Sequence, residues 1–160
     1  MKFFSFWRSL ASFRVRIALN LKNVPADAAG RARVRALALM VACEGHPLLT
    51  PRVRRYLDRE LNLRDEQQTA WRRHWTIETM TALEGHLAGK ATSRFCHGDT
   101  PTLADICMAG HVHAANIQQI SLARWPTVKR IFETAMALPE FASASPLAQP
   151  DTPEAMRVKK

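Results

Sequence analysis

The sequence predicts a mainly α-helical protein with one short β-α unit at its N-terminus. Apolar residues recur at helical spacing through most of residues 26–142, which is typical of amphipathic helices packed in a bundle. Only residues 2–7, which are short and aromatic, match the composition of a strand. Five or six helices with at most one strand exclude a doubly wound sheet, so we expect a helical bundle.

The N-terminal unit is predicted to be a strand followed directly by a helix. Ser9 and Ser12 are candidate caps for this helix, which is expected to run to about Lys22. Pro25 then ends the unit and joins it to the helical region.

The first helices of the bundle are predicted from their caps and breaks. Asp27 is a candidate N-cap, and the His-Pro pair at residues 46–47 breaks or kinks the helix that follows it. Asp65, with Gln68 three residues later, has the spacing of a capping box. We expect a long helix from there to residue 89 or 90.

The second half is predicted to hold a buried central helix. Thr102 and Asp105 form a second capping box, ahead of a mostly apolar helix over residues 103–116. Another helix is expected over residues 127–137, and residues 143–160 are predicted to be an extended polar tail.

Composition limits the class of protein. The 160 residues suffice for one ordinary domain, and the hydrophobic share of 47% with 23% charged residues is typical of a soluble globular protein. Apolar runs fall far short of the ~18 residues that a membrane span requires, so no membrane partner is expected. Three cysteines without metal-ligand spacing favour a reducing compartment, and we predict a cytoplasmic protein with no metal site.

The positive charge is concentrated in the first half of the chain. The net charge is +9, and the first 75 residues hold 15 Lys and Arg against 6 Asp and Glu. Such a surface is a solvated helix face, or it attracts anionic small molecules, anionic lipid or nucleic acid. No recognised DNA- or RNA-binding motif is present, so we expect no nucleic-acid partner.

Ordered motifs along nearly the whole chain carry a family resemblance. They are FWRSLASFRVRIAL at residues 6–19, ADAAGRARVRALAL at 26–39, FCHGDTPTLAD at 95–105, WPT at 125–127 and QPDTP at 149–153. Together they resemble the zeta class of glutathione transferases, which are the maleylacetoacetate and maleylpyruvate isomerases.

The resemblance implies a cofactor and a mechanism. In that family a thioredoxin-like N-terminal domain binds glutathione, and a helical C-terminal domain supplies much of the substrate pocket. Ser9 falls on the catalytic serine, whose hydroxyl donates to the glutathione thiolate, and Ser12 and Arg8 match further cofactor-binding positions. The thiolate adds to the cis double bond of a small anionic substrate, rotation follows, and elimination releases the trans isomer. From the residues alone, the favoured role of Ser9 is a helix cap, which is compatible with donation to a thiolate, and Arg8 is equally a surface salt-bridge partner.

The sequence departs from the family at two places. After Pro25, relatives continue through the remaining thioredoxin-like strands, with a cis-proline and a Gln-Ser pair that hold glutathione, and these elements are missing. Relatives read Asn-Ala-Arg-Arg where residues 114–117 read AANI, so Ile117 replaces an arginine that binds a substrate carboxylate. We therefore expect weak or lost glutathione binding, and an N-terminal piece that packs loosely on the bundle, dimerises or lowers solubility.

These features predict three parts: residues 1–25 as a remnant of the glutathione-binding domain, 26–142 as an all-helical domain, and 143–160 as the tail. The predicted function is a glutathione-dependent maleylacetoacetate isomerase or transferase of aromatic-acid catabolism, a homodimer by resemblance, impaired by the missing segment. The alternative is a non-catalytic helical binding or dimerisation module. A targeting role explains the sequence of residues 1–24 less well than the family motif does. A metal site at His111 and His113 is disfavoured, because side chains two residues apart lie on different faces of a helix.

Overall fold

The structure is a computed structural model that describes residues 9–20 and 27–156. The predicted strand at residues 2–7, Arg8 and the joint at Pro25 lie outside the described residues. In the described ranges the chain is mainly helical, as predicted, and its β structure is limited to an isolated parallel bridge between Thr92 and Gly98. The β-α unit therefore remains a prediction, of which the helix is described.

The described residues form seven α-helices. They are α1 (Leu10–Asn20), α2 (Ala28–Leu39), α3 (Pro51–Arg59), α4 (Asp65–Leu87), α5 (Leu103–Ile117), α6 (Pro126–Met136) and α7 (Pro139–Ala142). None of them is both long enough and apolar enough to span a bilayer.

Helix α5 is the centre of the bundle, as the sequence predicts. It packs against α1 on one side and against α2, α4 and α6 on the others. Of its 15 residues 11 are buried, because almost every face meets another helix. The main core joins α5 to the apolar stripes of its neighbours, with Val34, Leu37, Val41, Met80, Leu83, Met108, Val112, Val128 and Ile131 among its members.

Helix α1 is firmly docked on this bundle, which differs from the loose packing expected. Phe13 and Ile17 are fully buried and enter a second apolar cluster with Phe95, Ile106 and Phe141. Burying two large apolar side chains contributes about 3–6 kcal/mol of hydrophobic free energy. The sequence pattern did not reveal this, because the cluster draws its members from four distant segments.

The start of α2 follows the predicted signal, and its end comes earlier than predicted. Asp27 caps it, with its carboxylate accepting a hydrogen bond from the Gly30 amide at 2.6 Å. After α2 the chain widens into a π-helical turn, Met40–Gly45, and then tightens into a 3-10 turn, His46–Leu49. The break thus begins before the His-Pro pair that predicted it.

The start of α4 differs by one residue from the predicted capping box. The Arg64 amide donates to the side-chain oxygen of Gln67 at 3.0 Å, so Gln67 closes the cap. Gln68, the predicted partner, instead donates to the carbonyl of Leu63 at 2.8 Å. Both glutamines satisfy backbone groups near the helix start, and spacing alone could not separate their roles.

Residues 143–156 fold back onto the bundle, which differs from the extended tail that the sequence predicts. The Arg16 guanidinium donates to the carbonyl of Ala144 at 2.9 Å and fastens this segment to α1. The Thr152 hydroxyl donates to the Pro146 carbonyl within a buried turn. Short 3-10 turns at Pro146–Ala148 and Glu154–Met156, together with these contacts, satisfy backbone groups of this polar segment.

Candidate functional site

Ser9 lies at the N-terminus of α1 and caps it. Its hydroxyl oxygen accepts a hydrogen bond from the Ser12 amide at 3.2 Å, and its carbonyl accepts from the Phe13 amide at 2.9 Å. In this role the hydroxyl is an acceptor, so its own proton remains able to donate to a ligand. The end of the helix adds partial positive charge at the same place, which favours an anion such as a thiolate.

Arg14 lies one turn further along α1 and is pressed against α5. A Cβ atom built on Gly110 would lie 3.0 Å from Arg14 Nε and 3.6 Å from its Cζ, so the side chain runs over bare helix backbone. Arg14 Nε and one terminal guanidinium nitrogen are buried without a hydrogen bond to any described residue. Burial lowers the pKa of Arg14, and the nearby Cys107 thiol partly opposes this, but an arginine remains protonated near neutral pH.

Two histidines, His111, which is buried, and His46, which is half-buried, lie close to this guanidinium. Burial, followed by the positive charge of Arg14, lowers the pKa of His46 to about 4. The same two causes lower the pKa of His111 to about 4, although a backbone interaction with Thr76 opposes them. His111 is 1% exposed, and neither of its ring nitrogens has a hydrogen bond of good geometry among the described residues.

We call Arg14, His46 and His111 the Arg14 cluster. It brings together α1, the 3-10 turn after α2, and α5, and it holds one fixed positive charge with several unpaired donors. Burying polar groups without partners destabilises a protein, so an acceptor from outside the chain, whether water or a ligand, would stabilise this cluster. Anionic oxygens are the ligands that charged and neutral N–H donors bind best. The Arg14 cluster is therefore suited to a small carboxylate or a similar anion.

The remaining titratable groups do not extend this site into a metal centre. Among the described residues, no group of three or more His, Cys, Asp or Glu side chains is arranged to hold a metal ion. His113 lies edge-on to the Phe13 ring, with ring centres 5.9 Å apart, and burial lowers its pKa. The thiols of Cys96 and Cys107 are buried, which raises the pKa of both.

Asp105 forms a second buried polar site, which is structural. Its carboxylate is fully buried and accepts from the Thr102 amide at 2.7 Å, the Thr102 hydroxyl at 2.8 Å and the Cys96 amide at 2.8 Å. The predicted capping box is confirmed, with an added bond to the preceding loop. Both of its carboxylate oxygens have partners within the described chain.

Part of the positive charge in the first half of the chain lies on the solvent-facing surface of α3. Its exposed arginines are Arg52, Arg54, Arg55 and Arg59. A pocket of about 300 Å³ lies beside them, lined by Pro51, Arg54, Arg55, Asp58, Asp65 and Gln68. Two arginines face two aspartates there, so the pocket has no strong preference for an anion.

The structure describes some of the predicted site residues and adds others. Ser9 and Ser12 lie together at the start of α1, while Arg8 is outside the described residues. The sequence did not single out the Arg14 cluster as a site. Two residues could have indicated this site: Arg14 within the largely apolar helix α1, and Gly110 within α5. A glycine inside a helix indicates that another element approaches it closely.

No family model matches the chain, but its similarity to known proteins is extensive. It is 36% identical over 128 residues to the Vibrio cholerae protein named "Probable maleylacetoacetate isomerase", covering 80% of this chain and 59% of that protein. It is 30% identical over 211 aligned residues to maleylpyruvate isomerase from a Ralstonia species, covering 95% of this chain and all of that enzyme. The chain belongs to the zeta class of glutathione transferases.

A solved zeta-class relative shares the fold closely. The structure of maleylacetoacetate isomerase from Methylobacterium extorquens, with bound malonate and glutathione, matches with a TM-score of 0.88 and 32% identity, covering 92% of this chain and 97% of that one. In the Vibrio comparison the chain spans less than two thirds of the relative. The Ralstonia alignment is 211 residues long against 160 here, so a long internal stretch of that enzyme has no counterpart in this zeta-class chain.

Proposed function

We propose that this chain carries the substrate-side helical half of a glutathione-dependent cis–trans isomerase of maleyl acids, together with the serine that faces the glutathione thiolate. The observation that carries the proposal is the geometry of α1. It places Ser9 at a helix N-terminus, where its hydroxyl oxygen accepts a hydrogen bond, and one turn later it places Arg14 beside His46 and His111, with two guanidinium nitrogens buried and without a partner among the described residues. Family membership and the bound glutathione of the Methylobacterium relative support this assignment.

The proposed site has two parts. The sulfur end, at Ser9, faces the thiolate of glutathione, and the carboxylate end is the Arg14 cluster. Glutathione, when bound, supplies a thiolate nucleophile for the double bond of the substrate. The Ser9 hydroxyl and the N-terminus of α1 stabilise that negative charge. The Arg14 cluster provides donors for a carboxylate, which either glutathione or a dicarboxylate substrate can supply. A bound carboxylate also offsets the charge of Arg14, so both histidine pKa values rise on binding.

The affinity for glutathione is proposed to be weak. The cis-proline and the Gln-Ser pair that the family resemblance implies are missing from the sequence, and the length of the Ralstonia alignment, 211 residues against the 160 of this chain, supports a missing stretch. On the substrate side, Ile117 is 56% exposed at the end of α5, where relatives of the resembled family have a carboxylate-binding arginine. An apolar side chain there offers no donor to an anion.

Titration calorimetry with glutathione and S-methylglutathione tests the sulfur end. We expect a millimolar Kd for glutathione, about −4 kcal/mol of binding free energy. Ser9→Ala is expected to weaken glutathione binding and to leave S-methylglutathione binding unchanged, because only the thiolate needs the serine donor. Ser121→Ala is the matched control, since Ser121 also caps a turn, with its hydroxyl accepting from the Ala123 amide at 3.4 Å. A micromolar Kd for glutathione would contradict the proposed weak binding. Equal effects of Ser9→Ala and Ser121→Ala on glutathione binding would contradict the role of Ser9.

Turnover of maleylpyruvate in the presence of glutathione tests the reaction itself. We expect slow isomerisation above the uncatalysed rate, abolished by Ser9→Ala and retained in Ser121→Ala. A rate equal to background at saturating glutathione would contradict an active isomerase.

The second candidate is a non-catalytic binding or dimerising module derived from the same family. The exposed Ile117 favours it, because the substrate side presents an apolar surface in place of an arginine. This candidate predicts a dimer in light scattering and identical ligand titrations for Ser9→Ala and the unmodified chain.

A further inference from the structure

Arg14 presents one complete edge of its guanidinium without a partner. Its Nε and Nη2 atoms are buried and have no hydrogen bond to any described residue. These two nitrogens lie on the same edge of the planar group, and two parallel N–H donors match the two oxygens of a carboxylate. The side chain is held against α5, because a Cβ atom built on Gly110 would lie 3.0 Å from Nε. The edge is therefore suited to one carboxylate, bound through both of its oxygens.

The groups around this edge are basic or neutral. The titratable and charged side chains there come from three parts of the fold: Arg14 from α1, Cys43 and His46 from the turns after α2, and Cys107 and His111 from α5. Helix α4 adds the backbone of Thr76 beside His111, while α2 and α6 add apolar side chains to the core around α5. Over residues 9–20 and 27–156, no carboxylate side chain acts on the guanidinium or on either histidine.

The Arg14 cluster carries one positive charge at neutral pH. The pKa values of His46 and His111 are about 4, so both rings are neutral and only Arg14 is charged. A single carboxylate balances this charge. The second carboxylate of a dicarboxylate brings a further negative charge, which is costly in a buried site unless another charge compensates it.

His111 is placed to supply that compensation. A neutral imidazole donates one hydrogen bond, whereas an imidazolium donates two. The Thr76 backbone, which favours the charged ring, offers an acceptor on one side of His111, and a bound carboxylate would offer the second. His46 is less suited, because it is only half-buried and water competes for its ring.

We propose that the Arg14 cluster binds a dicarboxylate together with one proton, with Arg14 holding one carboxylate and the His111 imidazolium holding the other. The proton is taken from solvent on binding and returns to solvent on release. This inference rests on the proposed carboxylate end of the site, and it adds the ligand class and the response to pH. Lowering the pH from about 8 to about 5.5 therefore tightens the binding of a dicarboxylate, but it has little effect on a monocarboxylate, whose charge Arg14 alone balances.

NMR titrations of the full chain with oxalate and glycolate, at fixed ionic strength, test the proposal. The two probes share a two-carbon skeleton and are ionised throughout this pH range, but only oxalate has a second carboxylate. We expect the Kd of oxalate to be roughly tenfold lower at pH 5.5 than at pH 8, and that of glycolate to change less than about twofold. His111→Gln should remove the pH dependence for oxalate. His86→Gln is the control, because His86 is exposed on α4, and it should retain that dependence.

The outcomes separate this inference from the proposed carboxylate end. Equal pH dependence for the two probes, or a dependence that His111→Gln retains, would overturn the inference. Oxalate binding that Arg14→Met abolishes but that is independent of pH would overturn the proton uptake and leave the carboxylate end standing. No oxalate binding at any pH would overturn both. Glutathione is absent from these titrations, so their outcome is separate from that of the turnover assay.

A second readout covers a His111→Gln protein that fails to fold. Nitrogen-15 shifts of histidine rings distinguish a neutral imidazole from an imidazolium, and contacts with Thr76 identify the His111 ring in the unmodified chain. At about pH 6 we expect this ring to be neutral in the free chain and with glycolate, and charged in the oxalate complex. A His111 ring that stays neutral with oxalate bound would overturn the proposal.

Discussion

Asp105 and the Arg14 cluster lie on the same helix bundle and solve the burial of polar groups in opposite ways. Asp105 accepts three hydrogen bonds at 2.7–2.8 Å from Thr102 and the Cys96 amide. In the Arg14 cluster, two guanidinium nitrogens and one ring nitrogen of His46 have no hydrogen-bond partner among the described residues, and His111 has only a backbone interaction with Thr76 that falls short of good hydrogen-bond geometry. Both sites are enclosed by the helices that surround α5.

The difference separates a site that stabilises the fold from one that is kept for a ligand. Satisfied buried networks make the native structure rigid and specific, while unsatisfied ones lower its stability. Natural proteins keep unsatisfied buried groups mainly where function needs them. On this reasoning we expect Asp105 to be required for folding, and we propose that the Arg14 cluster is retained for binding.

The largest expected effect is the loss of the Asp105 carboxylate. Asp105→Ala leaves two buried backbone amides and a hydroxyl without acceptors, so we expect about 3–5 kcal/mol less unfolding free energy. The control is Asp99→Ala, which removes an exposed carboxylate that accepts from the Ser93 hydroxyl at 2.8 Å and should change stability by less than about 0.5 kcal/mol. Urea unfolding monitored by tryptophan fluorescence measures both, and similar losses would remove the distinction between the sites.

The unfolding free energy should decrease as the pH is lowered, because of His46 and His111. Their pKa of about 4 in the folded state is below the ordinary value of 6.5, so the unfolded chain binds protons first. Their contribution is complete above pH 6.5 and is lost as the pH falls toward 4, a loss of roughly 1–3 kcal/mol.

His111→Gln removes part of this dependence and should flatten the unfolding free energy between pH 4 and 6.5, relative to the unmodified chain. His86→Gln is the control, because His86 is an exposed histidine on α4 and should leave the pH profile unchanged. A profile that His111→Gln does not alter would show that His111 is already protonated and paired in the folded protein.

A smaller effect is expected at Gly110. Gly110→Val places atoms against the Arg14 side chain, where a Cβ would already be 3.0 Å from Nε, and should destabilise by about 1–2 kcal/mol. Gly85→Val in α4 is the control, because nothing lies within 4 Å of a Cβ there. Thermal unfolding compares the two, and an equally stable Gly110→Val protein would mean that Arg14 can move away freely.

The sequence predicted features that depend on neighbours along the chain. Helical periodicity indicated the bundle and the buried α5, and the spacing of Thr102 and Asp105 predicted their capping box. The Arg14 cluster was missed because three separate segments contribute it, and periodicity carries no information about which segments meet. The folded segment after residue 142 was missed for a similar reason, since the contact of Arg16 with Ala144 crosses almost the whole chain.

The most direct test of a binding role is Arg14→Met, which replaces the buried charge with an apolar side chain of similar length. Replacing an uncompensated buried ion in this way is often neutral or stabilising. We predict an unfolding free energy within about 1 kcal/mol of the unmodified chain, or higher, together with loss of the stabilisation that malonate or glutathione gives. A loss of about 3 kcal/mol or more, with an unchanged response to both ligands, would show that Arg14 serves the fold and would contradict the ligand site.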